Sequence, residues 1–251
     1  MRTYHQLTDP DRSGLVDQIG AQRKRVTERL AGVARIVAVM SGKGGVGKSY
    51  VTANLARGLA RAGRSVGVLD ADLNGPTIPG LLKVPQAPPD QPTAIGLDGV
   101  KCISMGQFLE AGAPLAFTGP SAESFVWRGA MEAAALREFL SDVEWGDLDV
   151  LMLDLPPGMQ RYIELCDILG KAPAVLTVTI PTPESRDAVR RAMRAAVDHG
   201  SELLGIVENM VGRDFEGTAA DDLAREFATP VLARIPWHPT PDTWAELGAR
   251  L

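Results

Sequence analysis

Short runs of apolar residues alternate along the chain with segments in which apolar residues recur every three or four positions. Most of the runs are apolar without interruption, which is typical of strands buried on both faces of a sheet. They predict strands at Arg35–Met40, Ser65–Leu69, Val100–Met105, Val150–Leu153, Ala174–Ile180, Leu203–Val207 and Val231–Ile235. The amphipathic segments predict helices at Gly14–Val33, Ser49–Ala62, Gly129–Leu140, Glu184–His199 and Thr218–Phe227.

The order of these elements predicts a mainly parallel sheet, since parallel strands are joined by crossovers that helices supply. We therefore expect an α/β fold with a single doubly wound domain. The proline-rich segment Val84–Pro92 can be neither helix nor central strand and is expected to be a surface loop. We divide the chain into an N-terminal extension with an amphipathic helix, residues 1–34, and the main domain, residues 35–251. We expect that helix to pack on the domain or on a second subunit.

The composition argues against several classes of protein. With 251 residues, of which 45% are hydrophobic, the chain can form a core without disulfides or a structural metal. Its two cysteines, Cys102 and Cys166, form no CxxC pair and indicate a reducing compartment. There is no recognisable export signal and no apolar run of membrane-spanning length, so we expect a cytoplasmic protein without a membrane span. The formal net charge of −5 argues against nucleic acid as the main partner.

The segment Ser41–Ser49, SGKGGVGKS, follows a predicted strand and precedes a predicted helix, and it matches the phosphate-loop pattern GxxxxGK(S/T). Glycines allow such a loop to turn its backbone N–H groups toward phosphates, in front of the positive end of a helix. Lys48 is expected to reach the β and γ phosphates of ATP and Ser49 to bind Mg2+. The residues predicted to bind the nucleotide here are Gly42, Lys43, Gly44, Gly45, Val46, Gly47, Lys48, Ser49 and Tyr50.

Acidic residues stand at the carboxyl ends of two predicted strands, where doubly wound sheets bind their ligands. Asp70 and Asp72 follow the second strand, and Asp154 ends the apolar run Val150–Leu153. A carboxylate in such a place can hold Mg2+ through water or orient an attacking water, and an aspartate after this kind of strand typically contacts the Mg2+ shell. Together with Ser49, the three aspartates are the predicted magnesium ligands.

Several blocks of sequence resemble one family of ATPases. They are KGGVGKS from Lys43, DADLNGPTIPGLL from Asp70, VWRGAM from Val126, LDLPPG from Leu153 and GIVENM from Gly205. Blocks similar to these occur, in this order, in the Mrp/ApbC group of iron-sulfur carrier ATPases. That group belongs to the MinD/ParA superfamily of P-loop NTPases, whose phosphate loop carries an additional lysine. The resemblance extends from Arg35 to about Pro239.

This resemblance implies a MinD-like fold and a homodimer that encloses two ATP molecules and hydrolyses them slowly. It also implies the roles of single residues. Lys43 would reach the phosphates of the partner's ATP, and Asp72 would orient the attacking water while Asp70 supports Mg2+. The predicted catalytic residues are Lys43, Lys48 and Asp72. Asn209, placed just past a strand end, would read the adenine through its amide, and Pro236 would lie along the base.

The chain departs from that family at two places. Its members usually carry a CxxC a few residues after the ENM block, whereas here VGRDFEGT follows, with no cysteine. After DLPPG the family normally continues with a Thr, a Gly and an Asp, whereas this chain has Met159, Gln160, Arg161 and Tyr162. Two functions therefore stay open: an iron-sulfur maturation factor with an unknown protein client, or a cluster-free positioning or regulatory ATPase. No iron-sulfur ligand is assigned, and both cysteines are expected to be small buried hydrophobes.

One predicted helix carries a row of basic side chains, Arg186, Arg190, Arg191 and Arg194. Such a row could contact DNA phosphates, and binding would then depend strongly on salt. The interpretation we favour is a solvated helix face with Glu184 and Asp187 as its acidic partners.

Overall fold

The computed structural model describes residues 15–73, 75–85, 93–107, 125–212 and 217–251, without the side chains of residues 15–19 and 125–131. Its helices are α1 (Leu15–Arg29), α2 (Lys48–Arg61), α3 (Ile78–Leu82), α4 (Phe125–Ser141), α5 (Gln160–Leu169), α6 (Pro183–Asp198), α7 (Ala219–Phe227) and α8 (Pro241–Gly248). Its strands are β1 (Val33–Ser41), β2 (Val66–Asp70), β3 (Ala94–Ile95), β4 (Lys101–Ser104), β5 (Leu148–Asp154), β6 (Ala174–Thr179), β7 (Leu203–Val211) and β8 (Val231–Pro236). No described helix combines the length and apolar composition that a bilayer span requires.

The strands form one sheet in the order β3-β4-β2-β5-β1-β6-β7-β8. Every neighbouring pair is parallel except β3 and β4, at one edge. The central strand β1 lies between β5 and β6, so that Val37 pairs with Met152 on one side and Ala174 on the other. The predicted α/β fold with a doubly wound, mainly parallel sheet is confirmed.

Helices cover both faces of the sheet, because its central strands carry apolar side chains on both sides. On β1, Ile36, Ala38 and Met40 face a core formed with α1, α4, α5 and α6. Val37 and Val39 face the opposite core, which α2, α3 and α8 complete. Helix α7 packs on α6 through a smaller apolar cluster. This layered arrangement leaves the carboxyl edge of the central strands as the open edge on which a site can form.

Helix α1 is shorter than predicted. It ends at Arg29, and Val33 already belongs to β1. Val26 and Leu30 are buried in the same core as the first face of β1, and α1 contacts both α4 and α5. The helix therefore packs on the domain, while the boundary after residue 34 stays a prediction. Residues 1–14 of the predicted extension, and residues 86–92 of the proline-rich segment, lie outside the described part of the chain.

Three helices were not predicted: α3, α5 and α8. Helices α3 and α8 have only five and eight residues, which is too short for a periodic apolar pattern to emerge. In α5, however, Tyr162, Leu165 and Ile168 recur at helical spacing and are all buried. That signal was present in the sequence.

Candidate functional site

The glycine-rich loop connects the carboxyl end of β1 to the first residue of α2, Lys48. Gly45 and Gly47 have φ angles of +80° and +78°, a left-handed conformation that glycine adopts without strain. Gly47 caps α2 and provides no side-chain hydrogen bond to the helix. The first N–H groups of α2 therefore have no side-chain cap and can serve an anion in front of the loop.

Two glycines of the loop are also required by their close neighbours. A Cβ on Gly42 would lie 2.2 Å from the backbone carbon of Ala188 in α6. A Cβ on Gly47 would lie 2.4 Å from Nδ2 of Asn209 in β7. The loop thus packs between β7 and α6. At Gly42 the neighbours are backbone atoms, so only glycine fits, whereas at Gly47 a Cβ would displace the Asn209 side chain.

Three residues of α2 converge on the carboxylate of Asp154 at the end of β5. Lys48 Nζ lies 2.6 Å and Ser49 Oγ 2.5 Å from Oδ2 of Asp154. Thr52 Oγ1 donates to Oδ1 of the same residue at 2.6 Å. Asp154 is fully buried and Lys48 nearly so, which strengthens their attraction. The structure thus brings together predicted residues from the loop and from β5.

Thr52 is a site residue that sequence reasoning missed. It lies one helical turn after Lys48, and its hydroxyl also donates to the Lys48 carbonyl at 3.1 Å. A hydroxyl on the same helix face as the loop's lysine was the available signal.

Asp70 ends β2 and lies beside Asp154, its register partner in β5. Its carboxylate is 1% exposed and accepts backbone N–H groups of Thr77 at 3.1 Å and Ile78 at 3.2 Å. Burial, and then the nearby charge of Asp154, raises the pKa of Asp70 to about 7. In this structure Asp70 supports the turn that follows β2, and its role as a magnesium ligand stays a prediction.

Asp72 lies within that turn and lines the cleft in front of the loop. The cleft is lined by Ser41, Lys43, Gly44, Gly45, Val46, Gly47, Lys48, Ser49, Tyr50, Asp72, Thr77, Leu81 and Pro157. Asp72 is partly exposed there and accepts a hydrogen bond from the backbone of Gly75 at 3.2 Å. Lys43 is half-buried, and no carboxylate of the described residues forms an ion pair with it. A carboxylate and an unpaired ammonium therefore share one cleft with the loop.

Asn209 lies within β7, which extends to Val211, and not past the end of a strand as predicted. Its amide Nδ2 donates to the Val46 carbonyl at 2.9 Å, so Asn209 braces the loop in this structure. Pro236 ends β8 opposite Val211 and is exposed. Tyr50 is 39% exposed at the start of α2. Contacts of these residues with a base stay predictions.

The two cysteines lie far apart in the chain and in different environments. Cys102 is fully buried in β4, and burial together with the charge of Asp70 raises the pKa of its thiol. Cys166 in α5 is only half-buried, which corrects the expectation that both are buried. Burial raises the pKa of Cys166 as well, against a hydrogen bond with Tyr162 that lowers it. Both thiols thus favour the protonated form.

The basic row on α6 has acidic partners on α7. Arg186 pairs with Asp222 at 3.2 Å, and Arg190 and Arg194 pair with Glu226 at 2.6 Å and 3.3 Å. Of the two predicted partners, Asp187 pairs with Arg186 at 3.1 Å and with Arg190 at 2.8 Å, whereas the other partners come from α7 and not from Glu184. Carboxylates of the protein itself therefore neutralise much of this face.

The fold and the loop define a P-loop NTPase with a MinD-like architecture. A nucleotide-binding protein from Archaeoglobus fulgidus, solved in complex with ADP, is similar with a TM-score of 0.68 and 32% identity, over 90% of this chain and 91% of that one. The cell division ATPase MinD from Pyrococcus furiosus has a TM-score of 0.59 and 21% identity over 86% of this chain and 98% of its own, a likeness of fold alone.

Residues 32–250 match the family described as ParA, NUBPL iron-transfer P-loop NTPase, and the chain belongs to that family. An iron-sulfur cluster carrier protein from Mycobacterium leprae is 40% identical over 226 residues, which cover 82% of this chain and 56% of that protein. The chain therefore spans about half the length of this relative. The cytosolic Fe-S cluster assembly factor CFD1 of Chaetomium globosum is 36% identical over 84% of this chain and 76% of its own length.

Proposed function

We propose that this chain is a Mg-ATP-dependent switch ATPase that works as a homodimer and assists the assembly or transfer of iron-sulfur clusters. The observation that carries the ATPase part is the convergence of Lys48, Ser49 and Thr52 on buried Asp154, directly behind the glycine loop. The relatives support the iron-sulfur part, since they are named as cluster carriers and assembly factors.

ATP and Mg2+ fit the donors that the cleft offers. The loop provides backbone N–H groups for phosphates, and Lys48 provides an ammonium that now pairs with Asp154. Ser49 and Asp154 would hold Mg2+, whose charge offsets that of the phosphates. Asp72, partly exposed in the same cleft, would orient the attacking water. Phosphate binding would then release Lys48 from Asp154, which links nucleotide occupancy to the end of β5.

Lys43 supports the homodimer. Its side chain lies in the cleft without an acidic partner among the described residues, so its charge is available to a phosphate. In a two-fold symmetric pair whose clefts face each other, each Lys43 can reach the nucleotide of the other subunit. A positive charge placed there would stabilise charge that develops on the transferring phosphoryl group.

The test is Mg-ATP turnover by the purified chain and by two variants. Lys43→Ala and Asp72→Ala should each lower the rate by about a hundredfold or more, the scale of one lost contact to the transition state. Lys171→Ala, which removes an exposed lysine after α5, should leave the rate unchanged and serves as the control. A wild-type chain without turnover contradicts the ATPase proposal, and a fully active Lys43→Ala variant contradicts the role across the dimer.

A second candidate is a cluster-free ATPase that positions or regulates a protein partner. The observation that favours it is the number and spacing of the cysteines, because iron-sulfur clusters are typically held by four thiolates and this chain has only Cys102 and Cys166, with no CxxC pair. Cys102, fully buried inside β4, offers no access to a cluster.

Anaerobic reconstitution with iron and sulfide distinguishes the two functions. A cluster-bearing protein should gain visible charge-transfer absorbance that a Cys102→Ser/Cys166→Ser variant lacks. The cluster-free candidate predicts no such absorbance in either protein. A full cluster on the double variant would contradict ligation by these cysteines.

A further inference from the structure

The first turn of α5 directly follows the Pro156–Pro157–Gly158 segment that borders the nucleotide cleft. Pro157 lines the cleft, and the backbone N–H of Gly158 donates to the Ser41 carbonyl at the start of the glycine loop at 3.3 Å. Any shift of this turn therefore moves residues that contact the loop. The contacts that hold this turn in place therefore also affect the nucleotide cleft.

No side-chain cap fixes the beginning of α5. Met159 occupies the cap position without a side-chain hydrogen bond, and no acidic residue stands in the first turn. Ser, Thr, Asp and Asn are the residues that normally satisfy the free N–H groups of such a turn. The turn must be held by other contacts.

Arg161 provides those contacts from inside the protein. Its guanidinium is 8% exposed and pairs with Glu132 of α4 and with Glu164 one turn further along α5, at 2.5 Å for the latter. Its Nε finds no hydrogen-bond partner among the described residues, so the burial is not fully compensated. A buried ion pair often adds little to the stability of a protein. The role considered for this pair is therefore to orient the first turn of α5.

Glu132, the partner of Arg161, belongs to a helix that is anchored in the core. Helix α4 contributes Leu136, Phe139 and Leu140 to the core beneath the central strands. Glu132 therefore extends from a helix whose position the core determines. The pair connects this fixed helix to the turn that leads into the cleft.

We propose that Arg161 is a positioning residue for the segment after β5, which it holds against the glycine loop through its buried ion pair with Glu132. This rests on the proposed ATPase function, which it extends to a residue that touches neither nucleotide nor Mg2+. Arg161 belongs to the stretch after DLPPG in which the chain departs from the family that its sequence resembles. The planar guanidinium can join two carboxylates at once, which gives the turn a defined orientation.

The test compares Arg161→Met, Arg161→Lys and the apolar pair Arg161→Met/Glu132→Leu with the wild type. For each protein, kcat, the Kd for ATP and the melting temperature are measured. Arg161→Met should lose about tenfold in kcat with a Kd for ATP within about threefold of wild type, because misplacing a catalytic arrangement costs rate more than binding. Arg161→Lys should recover part of kcat, since it can still join one carboxylate.

The double variant separates positioning from stability. Replacing a buried pair by apolar residues should restore the melting temperature, but kcat should stay low because the directional contacts are gone. Arg35→Met breaks an ion pair with Glu202 near the amino end of β1, opposite the edge that carries the cleft, and it should leave kcat unchanged.

Recovery of kcat together with melting temperature in the double variant would overturn the proposal, because it would show a role in stability alone. A wild-type protein without ATP turnover would refute the proposed function only. Hydrogen exchange of residues 155–165 with and without Mg-ADP then decides the inference: nucleotide should protect this segment in the wild type and not in Arg161→Met. Equal protection in both would overturn it.

Discussion

The substitution Gly47→Ala tests the packing of the glycine loop against β7. Gly47 has a φ angle of +78°, and a left-handed residue with a Cβ costs about 1–2 kcal/mol. The new Cβ would also lie 2.4 Å from Nδ2 of Asn209, so the Asn209 side chain must move. That movement breaks its 2.9 Å hydrogen bond to the Val46 carbonyl, at a net cost of about 0.5–1.5 kcal/mol. We expect a total loss of about 1.5–3.5 kcal/mol in the free energy of unfolding.

Gly45→Ala is the matched control. Its φ angle of +80° carries the same backbone cost, but no heavy atom lies within 4 Å of the added Cβ. It should therefore destabilise the protein by about 1–2 kcal/mol only. Urea unfolding of the nucleotide-free protein measures both variants.

The double-mutant cycle with Asn209→Ala isolates the contact. In the wild-type background Asn209→Ala loses the hydrogen bond to Val46, whereas in the Gly47→Ala background that bond is already broken. The two substitutions should therefore be less than additive by about 1 kcal/mol. Equal destabilisation by Gly45→Ala and Gly47→Ala, together with additivity of the cycle, would refute the reasoning.

Two further predictions concern the buried carboxylates. The pKa of Asp70 is about 7 in the folded protein, so the folded state binds more protons than the unfolded state between about pH 4 and about pH 7. The free energy of unfolding of the metal-free protein should therefore fall as pH rises through this window, which urea unfolding in EDTA measures. Asp70→Asn should show a flatter dependence on pH. A free energy of unfolding that rises with pH in the wild type would contradict this. Thr52→Val keeps the shape but removes the 2.6 Å hydrogen bond to Asp154, and it should lower the free energy of unfolding by about 1–3 kcal/mol in the same assay. An unchanged midpoint would show that Asp154 does not need this donor.

The sequence predicted the parts of the molecule that depend on local pattern. Continuous apolar runs located the main strands, and the glycine loop was identified because its lysine and serine stand at fixed spacing between a strand and a helix. The rule that doubly wound sheets bind ligands at the carboxyl ends of their strands also placed the loop and the three aspartates in one site, but it did not give the contacts between them. Asp70 lies beside Asp154 because β2 and β5 are neighbours in the sheet, and strand order is not written in local periodicity.

The end of β7 shows a second reason why the structure differs from the sequence-based prediction, which ended this strand too early. The apolar pattern stops at Val207, but the strand continues to Val211 through Glu208 and Asn209. Glu208 is buried because it pairs with Arg234 at 3.2 Å and accepts the backbone N–H of Ala220 at 3.1 Å. Polar residues with such partners can continue a buried strand, and the partners become known only from the tertiary structure.

Mixing two inactive variants tests the proposed homodimer most directly. In a dimer of Lys43→Ala with Asp72→Ala, one cleft keeps its own Asp72 and receives the intact Lys43 of the other subunit, whereas the second cleft loses both. If Lys43 acts across the dimer, random exchange of equal amounts should restore about a quarter of the wild-type ATP turnover, because half of the dimers are mixed and each has one intact site. Activity that stays at the sum of the two separate variants would contradict the account.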